Sequence, residues 1–185
     1  MTLVALRSLA ADDSDRLFDW RNRDDVRAYM YSDGLIDRNT HDRWFSGALV
    51  AADRRYWIIE WDGLPVGLAN LADISQIHEK AAWAYYLADP ATRGKGIGAC
   101  VEYLMIEKVF GEFGLEKLWC EVLVSNEAVW KLHESFGFVR EALFRRHVVK
   151  SDGPHDVYGL GLLKSDWQDR RDAARDRLAI RGFQL

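Results

Sequence analysis

The feature that most limits what this chain can fold into is a glycine-rich passage, Arg93-Gly94-Lys95-Gly96-Ile97-Gly98, set between a strand-like run and a helix. Glycines in that place let backbone N–H groups converge on an anion at the helix N-terminus, where the dipole and the unpaired donors favour phosphate. The helix is read from Ile97, Val101, Leu104, Met105 and Val109, which recur at helical spacing, and Gly114 ends it. A dinucleotide fingerprint can be drawn through Gly94, Gly96 and Ala99, but that motif belongs to the opening βαβ unit of a parallel sheet. Here an antiparallel meander comes first: residues 56–61 and 66–71, joined by Asp62-Gly63, then residues 82–88, closed by Asp89-Pro90. The G-K-[ST] ending of a phosphate loop is missing. The plain alternative is a glycine-rich turn that holds no ligand.

Around this centre the period of the apolar residues changes along the chain. Residues 2–9 read as a strand, and Asp12-Asp13-Ser14 caps a helix with Leu17, Phe18 and Trp20. A short helix from Asp24 or Asp25 carries Val26, Tyr29 and Met30, and a third from Asn39 or Thr40 carries Trp44, Phe45, Ala48 and Leu49. After the glycines come a strand at 118–124, a helix from Ser125-Asn126 to Phe136-Gly137, and a hairpin of 139–149 and 155–163. A charged helix over 165–180 follows. With 185 residues, 49% of them apolar, the chain fills one core, so residues 1–185 form a single α/β domain. Its parts are helices at 1–53, a sheet-and-helix core at 54–163 and the charged helix at 164–185.

Charge and composition exclude several functions. Twenty-five Lys and Arg against 29 Asp and Glu give a net charge of −4 with no basic block, so nucleic acid is not an expected partner. No apolar run reaches the about 18 residues of a membrane span, and a cytoplasmic location is expected. Cys100 and Cys120 form no C-x-x-C pair and the five histidines no H-E-x-x-H motif, so no metal site is expected.

At the glycine passage the sequence resembles the GCN5-related N-acetyltransferase (GNAT) superfamily, whose signature [Q/R]-x-x-G-x-[G/A] is matched by Arg93, Gly96 and Gly98. The resemblance runs on through Asn126, Leu132 and Phe136-Gly137-Phe138 and covers residues 54–163. It implies a mixed, mostly antiparallel sheet of about seven strands, flanked by helices and splayed between the fourth and fifth. It also implies acetyl-CoA as donor. The diphosphate would lie on the amides of Gly94, Lys95, Gly96, Ile97, Gly98 and Ala99 beside Arg93, and Asn126 would bond the pantetheine arm. The N–H of Leu87 or Ala88 would polarise the thioester carbonyl. The acceptor implied is an amine.

An ammonium acceptor needs a base. Glu121 alternates with Trp119 and Leu123 on one strand face, where an aromatic surrounding would raise its pKa; the other reading is a strand Glu paired with a neighbouring cation. His133 stands where the superfamily commonly has a Tyr that protonates the leaving thiolate. It is either the acid or a packing residue.

A narrower likeness concerns the acceptor. Arg21-Asn22, Met30-Tyr31-Ser32, His41, Trp44, Tyr86 and Glu121 are similar to the sugar-nucleotide acetyltransferases of pseudaminic acid synthesis, which serve flagellin glycosylation. That likeness implies a UDP-linked amino sugar as substrate and partner, contacted by Arg21, Met30, Tyr31, His41 and Tyr86. Asn70 would help hold a catalytic water near Glu121, and Arg21 and Arg27 would meet the diphosphate. Ala72 and Asp73 depart from a Thr-Lys pair found in some members. Met30 and Tyr86 can equally be core residues. The alternatives are a ribosomal-protein or polyamine acetyltransferase, which share Arg21-Asn22, and a CoA-binding module without turnover. The C-terminal helix is a surface feature or the contact of a homodimer.

Overall fold

The computed structural model describes every residue from Met1 to Leu185. Its strands are β1 (Thr2–Ser8), β2 (Arg55–Trp61), β3 (Leu64–Ser75), β4 (Lys80–Leu87), β5 (Lys117–Leu123), β6 (Val139–Lys150), β7 (Gly153–Leu163) and β8 (Phe183–Gln184). They form one sheet in the order β6-β7-β5-β4-β3-β2-β1-β8. The helices are α1 (Ser14–Arg21), α2 (Asp24–Arg27), α3 (Arg38–Val50), α4 (Ile97–Glu107), α5 (Glu127–Phe136) and α6 (Lys164–Ile180).

Alternation along each strand divides the apolar residues between two faces. One face packs against α4, α5 and α6 and holds the main core, including Ile59, Leu71, Trp83, Val101, Met105, Leu118, Phe138 and Trp167. The other carries α1 and α3 through the smaller cluster Leu17, Phe45, Ile58 and Leu68, with Tyr86 at its border. Asp13 joins these helices to the sheet. Its buried carboxylate accepts from Arg7 Nη2 and Arg16 Nη1, each at 2.8 Å, and from the Ala10 amide.

The meander forms as its turns dictate. Asp62 and Gly63 both have positive φ, the conformation a tight hairpin requires. Tyr56 pairs with Asn70, and Asn70 with Ala84. β4 and β5 run parallel but pair only from Lys80–Lys117 to Ala82–Trp119. Beyond Trp83 and Cys120 the two strands separate, and β5 continues paired to β7, with Glu121 opposite Gly159. This opening is the splay that positions the site.

Three features differ from the sequence expectation. The sheet has an eighth strand: Phe183 and Gln184 pair in parallel with Thr2 and Leu3, a two-residue ladder too short to leave a periodic signal. The helix after the glycines passes into a π turn over Lys108–Glu112 before Gly114. β6 is broken by irregular register between Arg140 and Ala142 and between Phe144 and Val148, and Arg146 sits at φ 51°.

Candidate active site

On the donor side, Gly96 is the N-cap of α4 and takes a left-handed conformation at φ 80°, which glycine adopts without a Cβ penalty. No side chain caps this helix, and the amides of Ile97, Gly98 and Ala99 find no acceptor in the chain. They form an open cluster of donors at the positive end of a helix dipole. Gly98 is tightly placed: a Cβ there would lie 2.9 Å from Tyr85 Oη, so a larger residue would make the phenol shift. Asn126 N-caps α5 without a side-chain cap bond. Its carboxamide therefore remains free toward the splay end of β5. These groups fit a diphosphate and an amide-bearing arm.

The two candidate amides on β4 are not equivalent. The Ala88 N–H donates to Val66 O at 2.8 Å, so it is occupied. Antiparallel bonding alternates, so Leu87, unlike Ala88, turns its N–H away from β3 and into the splay. Arg93 behaves differently from expectation as well, because its guanidinium meets Asp25 at 2.7 Å and so ties the glycine loop to α2. Lys95 is exposed.

On the acceptor side, Glu121 lies in line with Asn70 and Ala84, which share its face of the sheet. Tyr31 Oη donates to Glu121 Oε2 at 2.6 Å. Burial, with that carboxylate beside it, pushes the Tyr31 phenol above its ordinary range, so it remains a donor. His147 Nε2 lies 3.8 Å from the same oxygen. Sequence reasoning missed His147, since it reaches Glu121 only through the β6 irregularity. There Arg146 donates its amide to Asp156 Oδ1 at 2.6 Å, fixing a backbone conformation that non-glycine residues rarely adopt.

The tip of the β6–β7 hairpin closes a ring around this carboxylate. Lys150 Nζ donates to Ala28 O at 2.5 Å, and Ser151 donates through both its amide and its hydroxyl to Asp33 Oδ2. Residues 28–33 carry Tyr31, so both ends of the ring meet at Glu121.

Several expected acceptor residues are placed otherwise. His41 is buried, with its ring 5.8 Å from Phe45 and 5.3 Å from Phe18 and with Nε2 3.2 Å from Ser14 Oγ. Burial pulls its pKa below the ordinary histidine value, and it packs α1 against α3 instead of facing the splay. Arg21 donates to both the carbonyl and the hydroxyl of Ser32, and Arg27 to Asp33 O and to Asp24. Arg21 Nη1 and Arg27 Nε are buried without a hydrogen-bond partner, so neither guanidinium presents its full fork to a diphosphate. Met30 closes the turn after α2, its amide bonded to Arg27 O. Tyr86 is half-buried beside Leu17 and Leu68, and burial pushes its phenol upward in pKa.

His133 is also enclosed. Its ring lies 5.2 Å from those of Trp83 and Phe138, and Nδ1 is 2.9 Å from Glu102 Oε1, a carboxylate with no exposure. Burial opposes charge on the imidazole, but Glu102, helped by Cys120, outweighs it and holds the pKa up at about 10. His133 therefore forms a buried pair on the face opposite Glu121. Its Nδ1 is already occupied.

Comparison with known proteins bears on the family and the fold. The family model "Acetyltransferase (GNAT) domain" matches residues 4–139. The spermidine N(1)-acetyltransferase of Vibrio cholerae is 23% identical over 178 residues, covering 91% of this chain and 98% of that one. The [ribosomal protein bS18]-alanine N-acetyltransferase of Salmonella typhimurium is 24% identical, covering 77% and 87%. Among solved structures, the V. cholerae spermidine N-acetyltransferase in complex with CoA and spermine superposes with a TM-score of 0.83 at 21% identity, covering 89% of this chain and 98% of that one. The splayed mixed sheet, the uncapped glycine-led helix and the family match lead to one conclusion: the chain belongs to the GNAT acetyltransferase family and is an acetyl-CoA-dependent N-acetyltransferase.

Proposed function

We propose that this enzyme acetylates the primary amine of a slender cationic acceptor of the polyamine class, with Glu121 as the general base. The observation that carries the reading is the ring around Glu121, in which Tyr31, residues 28–33, the hairpin tip and His147 enclose a carboxylate at the splay. An ammonium group on an aliphatic chain can meet the Glu121 carboxylate, and similarity to spermidine acetyltransferases over nearly the whole chain supports the same class. The UDP-amino sugar expected from the sequence has less support, because Arg21 and Arg27 are engaged with the chain's own 32–33 segment.

In this reading Glu121 accepts a proton from the acceptor ammonium, freeing the lone pair for attack on the thioester carbonyl. The Leu87 N–H donates to the oxygen that gains charge, and Asn70 holds polar groups in line with the base. The amides of Ile97 to Ala99 and the carboxamide of Asn126 hold the donor; as the new C–N bond forms the C–S bond breaks, and the proton shed by the acetylated nitrogen passes through solvent to the sulfur, so that CoA leaves as the thiol. Holding the two reactants together removes several kcal/mol of entropic barrier.

The test is thiol release from acetyl-CoA with spermidine, an alanine-terminated peptide and a panel of UDP-amino sugars. Spermidine should give the highest kcat/KM, and Glu121→Gln should lower kcat by about 10². A higher kcat/KM with a peptide or a UDP-sugar overturns the acceptor class. An unchanged rate in the Gln variant removes Glu121 as base.

A further inference from the structure

The C-terminal segment lies outside the matched family region of residues 4–139, yet it reaches the glycine loop. A Cβ at Gly96 would lie 3.2 Å from Arg181 Nη1 and 3.3 Å from the Phe183 ring, so the guanidinium sits against the N-cap of α4. Its root is fixed. The Arg181 amide donates to Leu178 O at 3.0 Å, Gly182 donates to Ala179 O at 2.9 Å, and the Thr2 amide donates to Gly182 O at 2.8 Å. Phe183, two residues further, is buried in the main core, which anchors the segment from the other side.

Among the cations near the loop, Arg93 is paired with Asp25, whereas Lys95 and Arg181 form no ion pair. A guanidinium without a carboxylate, held beside three helix amides that lack acceptors, is placed for an oxyanion. We propose that Arg181 is a ligand of the phosphate groups of coenzyme A. It clamps the donor from the flank of α4 away from Asn126. The inference rests on the family's donor but not on the identity of the acceptor. The C-terminal helix and β8 fold back across the sheet edge by burying Trp167, Leu178 and Phe183 in the main core, and in doing so carry a cation to the donor loop.

The charge at the end of α6 has a purely structural alternative, compensation of the helix dipole at its C-terminus. Calorimetric titration of the full chain separates the two. Wild-type protein is titrated with CoA, 3′-dephospho-CoA and pantetheine, which carry successively fewer phosphates, beside Arg181→Ala and Arg181→Lys.

Arg181→Ala should weaken CoA about tenfold and leave pantetheine unchanged. An equal loss for CoA and dephospho-CoA places the contact on the diphosphate, and a loss for CoA alone places it on the 3′-phosphate; both support the proposal. Arg181→Lys should recover a large part of the affinity, and KM for acetyl-CoA should rise in the Ala variant while kcat at saturation holds. CoA affinity unchanged in the Ala variant overturns the proposal, as does a Lys variant as weak as Ala or an equal loss toward pantetheine. Failure of the wild-type chain to bind CoA would instead refute the donor assignment.

Discussion

The pair His133–Glu102 shows how one substitution can redirect a position. A Tyr expected at the leaving group's side becomes an imidazole drawn inward to a fully buried carboxylate 2.9 Å away. Removing the imidazole leaves the Glu102 carboxyl, whose pKa burial already raises, without its partner, so His133→Gln should cost about 3 kcal/mol of stability, read from urea unfolding. The pH dependence has a definite sign. The His133 pKa of about 10 lies above the ordinary histidine value of 6.5, so the imidazole's contribution is complete below 6.5 and is lost as pH rises through about 10; burial raises the Glu102 carboxyl as well, so both groups favour the protonated folded state. Wild-type stability should therefore fall between those limits, and the double variant Glu102→Leu with His133→Leu should lack that component. An identical slope in both would refute the pairing. None of this was legible in the sequence: Glu102 is thirty-one positions from His133 and gives no motif. Glu121, by contrast, was readable because strand alternation alone sets it on the face of Trp119.

Among the elements, the glycine loop and α4 were legible, since glycines before a 3.6-residue period have few other uses. The β6 irregularity was not, because a bulge shifts register without changing composition. It delivers His147 and bends the hairpin tip onto residues 28–33. Asp33 is the joint of that closure, taking two hydrogen bonds from Ser151, which hold its carboxyl below the usual carboxylate range. Asp33→Ala should raise KM for the acceptor severalfold while leaving KM for acetyl-CoA near its original value. Equal changes in both constants would show that the tip does not serve the acceptor side.

Over the whole molecule, the order of elements followed from the sequence, while the eighth strand did not, because two residues after a helix show no pattern. The sheet contributes an asymmetry that amide exchange can read. Ala88 is already bonded to Val66, whereas Leu87 faces the opening. Adding CoA should slow exchange at Leu87 and at Ile97 to Ala99 but leave Ala88 as it was. Equal protection of the two neighbours would mean that the donor enters elsewhere.

The short ladder between β4 and β5 sets a limit on improving this protein. Any change that drew Tyr85 and Leu87 into continuous bonding with β5 would add hydrogen bonds and so raise the melting temperature. It would also seal the gap in which we propose that the chemistry takes place. Selection for heat resistance alone should thus favour robust, silent variants, and a useful screen must demand turnover alongside endurance.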